Sequence, residues 1–227
     1  EGASIIDIGA YSSRPDADDV STEEEMARLR HALNLVRQHQ PDAVVSVDTF
    51  RADVARMCVE EYGVAMVNDI SAGEMDDEMF PTIARLGVPY IAMHMKGTPQ
   101  TMQINPQYEH FLKEIFYFFS EKVQKLRDLG VKDIILDPGF GFAKTIEQNY
   151  ALLRSLSSFR DIDGGRRLLV GVSRKSMIYR ALGISPEETL PATQAVHFKA
   201  LENGADILRV HDVAEAVRTM SLYRLMA

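Results

Sequence analysis

One cysteine, Cys58, stands in 227 residues, which excludes a disulfide framework. No apolar run is long enough to span a bilayer or to act as a secretory signal, so a cytoplasmic protein is expected. Positive charge is also short, with 25 Lys and Arg against 33 Asp and Glu and a net charge of −8. That balance opposes nonspecific binding to nucleic acid or an anionic membrane, so any anion site has to be a local basic pocket. No glycine-rich dinucleotide fingerprint follows the first strand, and there is no internal repeat, low-complexity tract or Gly/Ser linker. What is present is 46% apolar residues in a chain of a size that α/β barrels reach, so a single domain over 1–227 is expected.

Short β-rich runs recur along the chain: SIIDIGA, AVVSVDT, VAMVNDI, YIAMHM, DIILDPG, LLVGVS and DILRVHD. The pattern between them is helical. After an N-cap at Ser21 or Thr22 come first-turn acids, then Met26, Leu29, Leu33 and Val36 at helical spacing. Arg51–Tyr62, Asp77–Leu86, Tyr108–Leu129, Glu147–Phe159, Pro191–Asn203 and Val213–Leu225 repeat that character, several closing on glycine. Alternating strands and helices predict an α/β fold with a parallel sheet, either open and doubly wound or closed into a barrel. About seven strand-helix units are visible where a (β/α)8 barrel needs eight. EGASIIDIGA begins without Met and turns apolar at once, so one missing N-terminal unit is expected to reconcile the count.

In a barrel, side chains along each strand alternate between interior and helix layer, and active sites gather at the C-terminal mouth. With Val45 and Val47 facing the helices, Ser46 and Asp48 turn inward, and the same phase turns in Met66 and Asn68. Met93, Asp137, the set Gly171, Ser173 and Lys175, and the pair Arg209 and His211 fall inward on their own strands, whereas Arg174 falls out of phase. Two carboxylates, a carboxamide, an ammonium, a guanidinium and an imidazole would then share one pocket, a costly set unless function requires it. Plainer readings exist for each. Asp48 or Asp137 could be a cap, Asn68 could satisfy backbone groups, and Lys175 and Arg209 could pair with the carboxylates structurally. His94 reads as a structural histidine, Cys58 as a small apolar residue, and the loop SSRPDADD either covers the mouth with Ser13 and Arg14 or lies in solvent.

Taken together, IDIGAYSSRPDA, VSVDT, NDI, MHMKGTPQTMQ, LDPGFGF, VGVSRKSM and RVHDV resemble the dihydropteroate synthase family, in order along essentially the whole chain. The resemblance implies a (β/α)8 TIM barrel. It also implies condensation of 7,8-dihydropterin-6-ylmethyl diphosphate with 4-aminobenzoate, with release of diphosphate, usually with Mg2+. Asp48, Asn68, Asp137 and Lys175 are the implied hydrogen-bonding partners of the pterin, with Met93, Phe142 and Gly171 beside it. Ser13, Arg14, Arg209 and His211 are implied for diphosphate, and Ser13, Arg14, Pro15, Phe142, Lys175 and Ser176 for 4-aminobenzoate, where sulfonamides would compete. Asp48, Lys175, Arg209 and His211 are the implied catalytic set.

The family's first-strand Asn, which helps hold magnesium and diphosphate, has no counterpart here, so no metal ligand is assigned. Asp16 replaces a family glycine, the Arg and Gly expected near Thr189 and Ala192 are lacking, and His197 and Lys199 stand where family helices are more apolar. The resemblance also suggests a homodimer through outer helices. A methyltetrahydrofolate-dependent corrinoid methyltransferase and a non-catalytic pterin-binding barrel are the competing expectations. The cations of SRKS and RVHDV favour the synthase, whose diphosphate and arylamine carboxylate both need positive charge.

Overall fold

The seven β-rich runs become seven parallel strands, paired strictly in chain order in a computed structural model that describes residues 1–12, 19–97, 107–162 and 167–227. They are β1 (Ile6–Gly9), β2 (Val45–Asp48), β3 (Met66–Asp69), β4 (Tyr90–Met93), β5 (Ile134–Asp137), β6 (Arg167–Val170) and β7 (Ile207–Leu208). The helices are α1 (Thr22–His39), α2 (Ala52–Tyr62), α3 (Met79–Leu86), α4 (Phe111–Asp128), α5 (Ile146–Arg154), α6 (Ser176–Leu182), α7 (Leu190–Glu202) and α8 (Val213–Met226). This is the strand and helix order of a (β/α)8 barrel, carried by seven strands. Among the described residues β1 and β7 each pair with a single neighbour.

Alternation along the strands builds two cores. Outward residues such as Val47, Val67, Ala92, Leu136 and Val170 are buried against the helices in the main cluster. Inward, Ile91, Ile135 and Leu169 form a separate small cluster with Met66 and Ile207 against it, which lines the inside of the curled sheet. Registers set Asp48 opposite Asn68 and Met93 opposite Asp137, which levels these residues at one end of the sheet.

Local signals account for most boundaries. Ser21 Oγ accepts from Glu24 N at 3.2 Å to start α1, whose Leu29 and Leu33 are buried. Thr145 and Gln148 form a reciprocal capping box at the start of α5. Three sequence expectations change. The helix expected over Glu147–Phe159 stops at Arg154 and continues as a 3-10 segment, Leu156–Asp161. The helices expected from Asp77 and Tyr108 begin later, at Met79 and Phe111. Helix α6 has no visible signature in the sequence, because seven residues closed by Gly183 are too few to display a period.

The departures near the C-terminal end are absorbed locally. Thr189 is buried with Oγ1 donating to Pro186 O at 2.6 Å, Ala192 packs at the edge of the core, and Lys199 pairs with Glu202 at 3.3 Å. His197 is buried beside Gln194, and burial pulls its imidazole down to about 4, so it packs as a neutral ring. Asp16 lies outside the described residues.

Candidate active site

Four strands carry a polar residue at or beside their C-terminal end: Asp48 closing β2, Asn68 one residue before the end of β3, Asp137 closing β5, and Arg209 directly after β7. They are not independent. Arg209 Nε donates to Asp7 Oδ2 at 2.6 Å and its Nη2 to Asp48 Oδ2 at 3.0 Å, so one guanidinium spans two carboxylates. Asn68 Nδ2 donates to the same Asp7 oxygen at 3.2 Å. The sequence expectations do not include Asp7, although the alternation rule applied to β1 turns Asp7 and Gly9 inward. Its other oxygen, Oδ1, is buried without a hydrogen-bond partner among the described residues.

Burial and the adjacent Asp7 charge push the Asp48 carboxyl up to about 7, against the opposing pull of Arg209. Asp137 is also raised by burial, while Lys175 and the Gly139 N–H, 2.8 Å from Oδ1, hold it down. Burial brings the Lys175 ammonium down to about 8, with Asp137 supporting the charge.

Lys175 follows β6 and enters the mouth, where Nζ donates to Phe140 O and stands 4.6 Å from the centre of the Phe142 ring. Arg174 turns the other way, but not through strand phase, since β6 ends at Val170 and residues 173–174 form a turn. Its Nε and Nη2 donate to Asp212 at 2.9 and 2.6 Å, a planar fork on a carboxylate that holds the rim from a left-handed backbone at φ +54. Gly171 lies between the two cations, since a Cβ there would stand 3.8 Å from Arg209 Cβ and 4.0 Å from Lys175 Nζ. Those are ordinary contacts, so the protein's own packing does not demand glycine.

Met93 is buried in an apolar cluster with Phe50, Ile70, Met95 and Ala143, against which Phe142 packs, giving the mouth one greasy wall. Ser176 opens α6 at the same end. His211 is exposed at the rim, its backbone N–H donating to Ser173 Oγ at 3.3 Å, and partial desolvation by the surrounding rim, then the Arg209 charge, lowers its imidazole. Behind β2, Thr49 Oγ1 and Arg51 Nη1 donate to the buried Glu25 carboxylate at 2.7 and 2.6 Å, bracing the loop that leaves Asp48. Ser13, Arg14 and Pro15 lie outside the described residues.

A cavity of about 390 Å3 runs between β1 and β7 from residues 2–5 and α8 up to Asp7, Gly171, Lys175 and Arg209; Asp48, Asn68, Met93, Asp137 and Phe142 are not in its lining. Among the described residues no group of three or more His, Cys, Asp or Glu side chains converges as metal ligands. The positive charge between Asp7 and Asp48 is supplied by Arg209. The described residues therefore do not make a magnesium cage of their own.

The sequence pattern of the family described as pterin binding enzyme matches residues 1–211. A dihydropteroate synthase of Synechocystis sp. is 46% identical over 215 residues, covering 93% of this chain and 73% of that protein. The Yersinia pestis dihydropteroate synthase, solved with a sulfonamide drug complex, superposes with a TM-score of 0.92 at 36% identity, over 99% of this chain and 81% of that one. The Thermus thermophilus dihydropteroate synthase, solved with 4-aminobenzoate, gives 0.90 at 35% identity, over 100% and 85%. These likenesses run through every strand that carries the polar mouth, and the chain belongs to the dihydropteroate synthase family of pterin-binding enzymes.

Proposed function

We propose that the protein condenses 7,8-dihydropterin-6-ylmethyl diphosphate with 4-aminobenzoate to give 7,8-dihydropteroate and diphosphate. The observation that carries this reading is the placement of Asp48, Asn68 and Asp137 at strand ends on one side of the sheet, with Lys175 beside Asp137 and Arg209 across to Asp48. An aminopyrimidinone edge offers adjacent N–H donors that the Asp137 carboxylate accepts together. Asn68 can donate and accept, and Lys175 donates to a ring nitrogen or carbonyl. Met93 and Phe142 cover the ring, and Gly171 leaves room for it.

Arg209 and His211 bind the diphosphate, joined by Ser13 and Arg14 of the loop after β1. The C–O bond to diphosphate breaks first and leaves a methylene cation delocalised into the pterin. The amine nitrogen of 4-aminobenzoate attacks that carbon and loses its proton to solvent. No protein nucleophile is needed, and catalysis is positioning plus electrostatic preorganisation. Ionised Asp48 stabilises the charge spreading into the ring. Lys175, Ser176 and Phe142, with Ser13, Arg14 and Pro15, hold the arylamine, and sulfonamides compete for the same place.

Magnesium would arrive with the diphosphate as its counter-ion, and no step above depends on it. A homodimer through outer helices suits α8, which leaves Leu222, Leu225 and Met226 exposed. No helix among the described residues is long and apolar enough to cross a membrane, and we place the reaction in the cytoplasm.

The test is diphosphate release. It is expected only when both substrates are present, and Asp48→Asn is expected to lower the rate by roughly 10²- to 10³-fold, the cost of losing one pre-aimed charge-stabilising group. A protein that binds the pterin diphosphate but never releases diphosphate would be a binding barrel, and a methyl transfer from methyltetrahydrofolate would assign it to the corrinoid methyltransferases.

A further inference from the structure

Lys144 is buried at the end of the β5–α5 loop, and none of the roles above uses it. Its Nζ reaches Gly139 O at 2.9 Å, Phe142 O at 2.9 Å and His94 Nδ1 at 3.0 Å, with His94 O further off at 3.4 Å. Burial pushes the Lys144 amine well below the ordinary ammonium range, with Asp137 pulling the other way. Protonated, its three N–H donors match the three close acceptors in number; neutral, it donates to the two loop carbonyls and its lone pair accepts from His94. Burial, and then Lys144, pulls the His94 imidazole down to about 2, which keeps the ring neutral. His94 is fixed in turn, edge-on to Phe118 of α4 at 4.9 Å between ring centres.

Two of these partners belong to the loop that carries Phe142, and the third follows β4. Lys144 therefore ties the loop to the neighbouring strand end. Gly141 N donates to Asn149 Oδ1 at 2.7 Å and Tyr108 Oη to Ala143 O at 2.9 Å, which anchors the same turn from α5 and from the segment before α4. On the cavity side Lys175 takes Phe140 O and faces the Phe142 ring. The loop is thus clasped between two lysines, one at the mouth and one behind it. A buried amine held by carbonyls and an imidazole is an expensive way to fill space, and what it secures is the conformation of residues 139–142.

We propose that Lys144 is a positioning residue for the arylamine: it fixes the loop so that Phe142 and Lys175 meet 4-aminobenzoate in a preformed geometry. This rests on the function proposed above. Asp48, Asn68 and Asp137, the hydrogen-bonding partners proposed for the pterin on the strands, are set by the ladder, so the pterin depends on the loop only through Lys175 and the face of Phe142.

The experiment compares wild type with Lys144→Met, which keeps the side chain's length and apolar body. KM for 4-aminobenzoate is expected to rise about tenfold or more while Kd for the pterin diphosphate, read by calorimetry, stays within about threefold. Equal losses for both substrates, or a lower folded fraction with an unchanged KM, would overturn the proposal. If Lys144→Met does not fold, His94→Leu carries the test, because it removes one partner and leaves Lys144 in place. The same KM is then expected to rise about threefold, and an unchanged KM would sink the idea. Wild-type protein that releases no diphosphate with both substrates would overturn the functional reading itself, a failure visible before any substitution is made.

Discussion

Arg209 Nη2 donates to Asp48 Oδ2 at 3.0 Å, so the cation that follows the last strand is held against a carboxylate of the second. With Asp7 on its Nε, Arg209 is oriented before any substrate arrives. A diphosphate would meet a guanidinium already aimed and already partly neutralised. Arg209→Ala removes the phosphate partner and leaves two carboxylates unbalanced. Loss of hydrogen bonds between charged groups corresponds to roughly 10- to 100-fold in kcat/KM for the pterin diphosphate. The affinity for a 7,8-dihydropterin without diphosphate is expected to change far less, and comparison of the two ligands by calorimetry with steady-state rates checks this.

The raised Asp48 and lowered Lys175 predict a bell-shaped pH profile. Asp48 loses its proton near pH 7, because burial and Asp7 push it up, and only the ionised form stabilises the cationic pterin. Lys175 loses its proton near pH 8, because burial pulls it down, and the neutral amine binds the heterocycle less well. Thus kcat/KM should rise through about 7 and fall through about 8, reporting groups of the free enzyme. Asp7→Asn removes a negative neighbour of Asp48, so the acidic limb should move to lower pH. An acidic limb that stays where it is in Asp7→Asn would remove Asp7 from the account.

The strand phases of Asp48, Asn68 and Asp137 could be read in the sequence because alternation is a local property and the flanking valines, leucines and isoleucines fix it, whereas Lys175 reaches the mouth from a turn beyond the end of β6. Val47 and Leu136 face the helices, and their neighbours face the mouth. Asp7 obeys the same rule, yet its significance is nonlocal: it becomes part of the site through Asn68 and Arg209, 61 and 202 residues away. Lys144 had no sequence signal at all, since its three partners are two loop carbonyls and a histidine 50 residues earlier. The loop over Ser13, Arg14 and Pro15 lies outside the described residues, so its part in the site rests on family resemblance.

Two glycines at the mouth separate ligand fit from protein fit. A methyl group on Gly171 would meet only ordinary contacts, at 3.8 Å from Arg209 Cβ and 4.0 Å from Lys175 Nζ. Gly171→Ala should leave thermal stability unchanged or slightly raised, by up to about 1 kcal/mol, since alanine narrows the unfolded ensemble. Its methyl group would occupy the space between the two cations where the pterin is proposed to lie, so the pterin affinity should fall. Gly139 is the opposite case. Its φ is +71 and a Cβ would come 2.0 Å from His94 O, a backbone atom. Gly139→Ala must shift the loop or the end of β4, at a cost of about 3 kcal/mol from strain and overpacking together. For a domain of this size that lowers Tm by roughly 6 to 12 °C, and 4-aminobenzoate affinity should fall with it because Phe142 moves. Thermal melts and calorimetry on the two variants are the check: a Gly171→Ala protein that keeps full pterin affinity would remove the ring from that place, whatever the Gly139 variant does.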